Sequence, residues 1–304
     1  MAIWGGIITT DTGTHRSRRR SAGRVLLVIL VAVAGAAVVL HRLGVGSVAG
    51  SRPAGDGYVW SDEFDGPAHS APDSGKWAHN TGGTGWGNDE LEYYTDSTAN
   101  AALDGAGHLL LTARRGNPAG YACHYGRCRY TSARLLTAQR FAQTYGRFEA
   151  RIKLPRGGGL WPAFWMLSDD TRIEGSPRGG EIDVMEHVGS EPGTVHGSLH
   201  GPGYSGDLGL TSPFTLQGQR TLADDFHVFA VDWRPSAITW MIDGTPYSKK
   251  TPADVGNNEW VFDHPFFMIM NVAVGGTWPG PPAIDTSFPQ SMIVDYVRVY
   301  PVDG

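Results

Sequence analysis

Beyond residue 57 the chain is written largely in two-residue alternation. In GRFEARIKL, residues 146–154, Phe148, Ala150, Ile152 and Leu154 alternate with Glu149, Arg151 and Lys153. ITWMIDG (238–244) sets Ile238, Trp240 and Ile242 against Thr239, Met241 and Asp243, then turns at Asp243-Gly244. Successive side chains of a strand point to opposite faces, so each stretch predicts a strand with one buried face. HLLLTARR (108–115), SARLLTA (132–138), FHVFAVDW (226–233), FFMIMNVAV (266–274) and MIVDYVRVY (292–300) predict further strands. No stretch after residue 43 carries the period of an amphipathic helix. Short strands joined by turn-rich segments predict an all-β sandwich or barrel.

One strand-like stretch carries three acids. GEIDVMEHVG (180–189) sets Glu181, Asp183 and Glu186 among Val184, Met185 and Val188. Strict alternation puts Glu181 and Asp183 on one face and Glu186 on the other. A β-bulge at Val184–Met185 would return Glu186 to the face of its neighbours. Like charges so crowded destabilise each other, and such crowding persists where the perturbed protonation states are useful. Two carboxyl groups on one surface are the equipment of glycoside hydrolysis, one attacking the anomeric carbon and one protonating the leaving oxygen. Asp183 between them can orient the nucleophile, and its charge helps keep the acid protonated.

Aromatic residues fit the same chemistry. GLWPAFWML (159–167) places Trp161 and Trp165 on one face just before the acids, with Trp86 and Trp278 in Gly-rich loops. Indole faces bind the apolar face of a pyranose. HGSLH (196–200) repeats His at i and i+4, but Gly197 and Gly201-Pro202-Gly203 argue against a zinc-binding helix. On a strand, His196, Ser198 and His200 share a face.

The N-terminal region changes the compartment. RSRRRSAGR (16–24) precedes the apolar VLLVILVAVAGAAVVL (25–40), a basic n-region and an apolar h-region. The run is shorter than the roughly 20 residues that span a bilayer comfortably. Ser47-Val48-Ala49 is a cleavage site compromised by His41-Arg42, so a cleaved signal and an uncleaved anchor both stand. Either version sends residue 50 onward out of the cytoplasm. The chain therefore divides into a basic segment 1–24, an apolar segment 25–40, a Gly/Pro linker 41–57 and a folded domain 58–304. Residues 1–49 hold six Arg and one acid, which leaves 19 basic and 29 acidic residues for the remainder. That balance excludes nucleic acid and disfavours polyanionic substrates, which call for a basic footprint. The two cysteines, Cys123 and Cys128 in CHYGRC, could clip a loop by a disulfide; a zinc site lacks a second pair nearby.

With these residues assembled, E-I-D-V-M-E and its preceding Gly resemble the active-site signature of glycoside hydrolase family 16, in the six-residue version of laminarinase-like members. WSDEFDG (60–66), GWGNDELEYYT (85–95), YTSARLLT (130–137), YGRFEARIKLPRGGGLWPAFWML (145–167), VHGSLHGPGYSG (195–206) and NVAVGGTWPGPP (271–282) are similar to family segments in the same order. The resemblance implies a β-jelly roll of two antiparallel curved sheets with a concave substrate cleft. It implies retaining endo-hydrolysis of β-glucan, with β-1,3 linkages favoured by the six-residue signature. Mixed-linkage glucan, a galactan of the agar or carrageenan type, or a non-hydrolytic glucan-recognition protein are the alternatives. Glu181 is then the nucleophile, Glu186 the acid/base and Asp183 the assisting acid. Asn88, Arg134, Trp161, Trp165, His200 and Trp278 would line the sugar subsites. Asp89 and Glu92 stand where many relatives carry Asn and Gln, which adds negative charge near the cleft. No cofactor is expected for catalysis, but Glu63, Asp295 and the backbone oxygen of Gly105 are expected ligands of a structural calcium. Asp295, alternating with Ile293, Val297 and Val299, is otherwise awkward there, unless an Arg or backbone N–H groups pair it. The expected partner is a polysaccharide, the membrane is touched only through residues 25–40, and the chain is expected to be a monomer.

Overall fold

The computed structural model describes residues 57–169, 178–218 and 220–302. The segments 1–24 and 25–40, and all but the last residue of the linker 41–57, lie outside the described residues. The alternating stretches form two large sheets. The ten-stranded sheet runs Thr245–Lys250, Ala237–Ile242, His227–Arg234, Gly146–Lys153, Gln290–Tyr300, Leu109–Arg115, Tyr130–Ser132, Glu92–Tyr94, with Trp60–Asp62 and Ala101–Leu103 attached to its middle. The seven-stranded sheet runs Ser212–Thr215, Thr194–His200, Glu181–Glu186, Leu160–Ser168, Phe266–Val274, Arg134–Leu136, Ala78–His79. This is the two-sheet sandwich that the alternation predicts, in the jelly-roll form that the family resemblance implies. One pairing departs from the antiparallel expectation: Glu92–Tyr94 lies parallel to Tyr130–Ser132.

The core lies between the sheets and is supplied by one parity of each strand. Leu160, Phe164 and Met166 from one sheet meet Phe148, Ala150 and Ile152 from the other, all completely buried. Full burial of a side chain such as Phe164 is worth about 1.5–3 kcal/mol, so a one-residue slip of its strand would forfeit several such terms at once. The opposite parity of the same strand carries Trp161, Ala163 and Trp165 outward, and that outer face becomes the site.

Two expectations are corrected. SARLLTA is not one strand: Tyr130–Ser132 belongs to the larger sheet and Arg134–Leu136 to the smaller, with Ala133 buried at the crossing. The crossing carries Arg134 to the sheet of the acids. Asp295 does not share a face with Val297 and Val299 either. Arg151 pairs with Tyr296 and Ile152 with Val294, so Asp295 is the extra residue of a bulge. The phase therefore changes there, with Met292 and Val294 buried before it and Val297 and Val299 after it.

Candidate active site

The acid strand starts from a glycine that nothing else could replace without strain. Gly180 has φ of 83°, and a Cβ there would lie 2.9 Å from Val261 Cγ2 and 3.1 Å from Phe262 Cε1. Downstream, Trp165 pairs with Asp183 and Phe164 with Met185, which leaves Val184 as the extra residue. On the other side Glu181 faces His200, Asp183 faces Ser198, and Glu186 faces His196. The bulge thus falls where the alternation required it, and Ile182, Val184 and Met185 remain buried. It is pinned from the core: Trp240 Nε1 of the opposite sheet donates to the Asp183 carbonyl at 2.7 Å. Gly197 makes room for that indole, since a Cβ would sit 2.3 Å from Trp240 Cδ1.

The three acids differ in surroundings. Glu186 Oε1 accepts from Trp161 Nε1 at 3.1 Å, and Oε2 accepts from Ser198 Oγ at 3.4 Å. Burial first, and then the charge of Asp183, push its carboxyl well above the usual range, while His200 pulls the other way and Glu181 adds to the rise. Asp183 is 2% exposed, and its Oδ2 lies 3.2 Å from His200 Nε2. Burial would lower the His200 imidazole, but the adjacent carboxylate of Asp183, with Glu181 and Glu186 behind, raises it to about 9. The pair is therefore an ion pair at neutral pH, beside an acid that favours its protonated form. Donor atoms of Glu181, Asp183 and His200 lie within 4.8 Å of one another, close enough to hold a cation between them.

Aromatic groups flank this cluster on both sides. Trp278 is 41% exposed and stands edge-on to Trp161 (5.4 Å between centroids) and to His196 (5.0 Å). Further along the sheet, the Arg134 guanidinium is sandwiched between Trp86 at 4.7 Å and Trp165 at 4.8 Å. Trp165 is buried and donates from Nε1 to Asn271 Oδ1 at 2.8 Å, so it is a wall rather than an open platform. Asn88 is held beside the Trp278 loop, its carbonyl accepting from Thr277 N at 2.8 Å. Every residue expected in the subsites thus lies on this face or in the loops joined to it.

Sequence reasoning overlooked Asn271, Glu90 and Tyr94. Asn271 Nδ2 donates to Tyr94 Oη at 3.0 Å, and Tyr94 Oη donates to Glu90 Oε2 at 3.0 Å. Asn271 had a signal: it is the one polar residue in FFMIMNVAV, at the same parity as the outward Ile269 and Ala273.

The cysteines are bonded, Cys123 to Cys128, across the hairpin Ala122–Cys123 and Gly126–Arg127. That hairpin grips the strand after Asn88: His124 Nε2 lies 3.0 Å from the Glu90 carbonyl, and Tyr125 Oη donates to the Leu91 carbonyl. The two carboxylates expected to hold calcium each face an arginine. Glu63 is bidentate to Arg298 at 3.0 and 2.8 Å, and Asp295 is paired with Arg151, so each carboxylate is turned to its own guanidinium. The arginine that the second account of Asp295 called for is Arg151.

Comparison with known proteins agrees with this geometry. The family profile of glycosyl hydrolases family 16 matches residues 83–298. A β-glucanase of Rhodothermus marinus is 44% identical over 250 residues, 80% of this chain and 84% of that protein. The solved endo-β-1,3-glucanase of Pyrococcus furiosus superposes with a TM-score of 0.74 at 46% identity, covering 81% of this chain and 95% of that one. The laminarinase catalytic domain of Thermotoga maritima gives 0.75 at 43%, covering 81% and 98%. The bulged acid strand, the tryptophans around it and the sandwich beneath it are thus those of a glycoside hydrolase, and the chain belongs to glycosyl hydrolases family 16.

Proposed function

We propose that the protein is a retaining endo-β-glucanase that cleaves β-1,3-linked glucan by double displacement. The observation that carries the reading is the bulge at Val184, which gathers Glu181, Asp183 and Glu186 on one face and leaves Glu186 favouring its protonated form. Glu181 attacks the anomeric carbon. Glu186 delivers its proton to the leaving oxygen and then, as carboxylate, activates the water that releases the sugar. Asp183, locked to His200, orients the nucleophile and keeps a negative charge beside Glu186. Trp161 and Trp278 stack sugar rings at the Glu186 end with Asn88 beside the Trp278 loop, and Arg134 and Trp86 contact the chain next to Trp165. The relatives, a β-glucanase, an endo-β-1,3-glucanase and a laminarinase, support the linkage.

The test is reducing-end release from laminarin, lichenan, agarose and carrageenan at equal mass. Laminarin should be cleaved fastest, lichenan more slowly, and the galactans not at all. Faster release from lichenan would assign the enzyme to mixed-linkage glucan, and binding of laminarin without cleavage would make it a recognition protein.

We propose further that residue 50 onward lies outside the cytoplasm, because the arginines of 16–24 precede the apolar run 25–40. Protease added to intact cells or spheroplasts should digest the domain or find it already in the medium. A domain recovered intact and protected inside would end the idea.

A further inference from the structure

Glu92 opens the strand Glu92–Tyr94 and Glu90 stands two residues before it, 0% and 4% exposed. Both oxygens of Glu90 already have donors: Oε1 accepts from Asn88 Nδ2 at 3.1 Å, and Oε2 accepts from Tyr94 Oη at 3.0 Å. Glu92 Oε2 accepts from Val274 N at 2.7 Å, but its buried Oε1 has no hydrogen-bond partner among the described residues. A buried carboxylate oxygen without a donor is costly, and two ionised carboxylates in one dry site are worse. One proton resolves both problems. Placed on Glu92 Oε1 it gives that oxygen a hydrogen bond to donate, and its neighbour is the carboxylate of Glu90.

We infer that Glu92 is a positioning residue that holds Glu90 by a shared proton, and thereby fixes Asn88 and Tyr94 in the glucan-binding wall. Burial and the charge of Glu90 both raise the Glu92 carboxyl, in keeping with the geometry. The other groups that face the pair do not supply a second cation. Among the described residues Arg134 is the guanidinium whose charge acts on the pair, and that charge acts on Glu181 as well. Tyr94 is pushed up by burial and stays a phenol. The Phe266–Val274 strand presents an amide N–H and Asn271, and the parallel strand sets Tyr130 in register with Glu92. From the clipped hairpin, His124 and Tyr125 engage the carbonyls of Glu90 and Leu91 rather than the carboxyl groups. When the proton leaves, two anions confront each other, Glu90 is driven from Asn88 and Tyr94, and the wall loosens. The effect falls on binding, because the acids of the cleft are not moved.

This rests on the reading of Asn88 as a glucan contact, and the test separates the two. Glu92→Gln supplies a permanent N–H where the proton stood. An acid whose folded-state value is raised favours the folded state below its unfolded value, and that stability is lost as pH rises toward the folded value. The Tm of the wild type should therefore fall relative to Glu92→Gln as pH is raised from 5 to 10, and the infrared band of a protonated carboxyl at pH 7 should shrink by one group in the variant. In parallel, KM for laminarin should rise about tenfold in the wild type across the alkaline range and stay flat in Glu92→Gln, while kcat follows the same pH profile in both. Should Glu92→Gln fold poorly, Glu90→Gln removes the opposing anion and must abolish the same alkaline step in Tm. Parallel Tm profiles, or an unchanged infrared band, would overturn the shared proton. Parallel KM profiles would overturn the positioning role. A wild type inactive on laminarin would count against the substrate, and leave the Tm and infrared arms standing.

Discussion

Glu186→Ala should lose hydrolysis of polymer by about 10³-fold or more and yet form a β-glycosyl azide when azide is supplied. The loss follows from the leaving group. A sugar hydroxyl departs only when protonated, and in this cleft Trp161 and Ser198 present Glu186 for that task. With an activated aryl glycoside the first step needs less help, so a glycosyl-enzyme on Glu181 should still form. Azide needs no general base, enters the space left by the carboxyl group, and attacks that intermediate with net retention. Glu181→Ala should fall at least as far, with glucan binding preserved because Trp161, Trp278 and the Arg134 sandwich are untouched. Azide should then displace directly and give the α-azide. Product anomers read by proton NMR decide the matter. Reversed anomers would exchange the roles of the two glutamates, and an inverted sugar from the unaltered enzyme would remove double displacement altogether.

The bulge that makes this assignment possible was legible in the sequence, because an extra residue at Val184–Met185 is what returns Glu186 to the face of Glu181 and Asp183, and the extra residue is Val184. The same reasoning failed at Asp295, where alternation was trusted through a second bulge. Nothing in IVDYVRVY marks it, because the extra residue there is compensated by Arg151 on the neighbouring strand rather than by a change in its own composition. The crossing at Ala133 was hidden for a related reason: strand propensity continues through SARLLTA while the partner sheet changes, and partners are not written locally. Arg134 owes its place to that crossing. Trp165 shows the limit of reading aromatic residues from parity alone, since the indole faces outward as expected but is then covered by Arg134. Glu92 shows the reverse limit. Its letter announces a negative charge near the cleft, whereas its complete burial against Glu90 makes a neutral acid the better state.

His200→Gln and Asp183→Asn should move the alkaline limb of activity in opposite directions. The limb belongs to Glu186, which must keep its proton to act, and that proton is held first by burial and next by Asp183, against the opposing charge of His200. Since His200 titrates at about 9, it is positive across the working range. Its replacement by a neutral amide removes the one nearby charge that loosens the Glu186 proton, so kcat/KM should persist to higher pH. Asp183→Asn takes away the larger, stabilising charge, and the limb should move toward neutrality. The second shift should be the smaller than a lone charge would give, because His200, deprived of its partner in a buried site, discharges as well and part of the loss cancels. A change of one pH unit corresponds to about 1.4 kcal/mol of altered interaction, within reach of a single charge at this depth. Asp183→Asn should also lower the maximal rate by about 10²-fold, since Glu181 then lacks the carboxylate that orients it. Rate profiles from pH 4 to 10 on laminarin would measure both limbs. Shifts of the same sign in the two variants would mean that Asp183 and His200 act on Glu186 as a steric frame, and that the ion pair does not set the protonation of the acid.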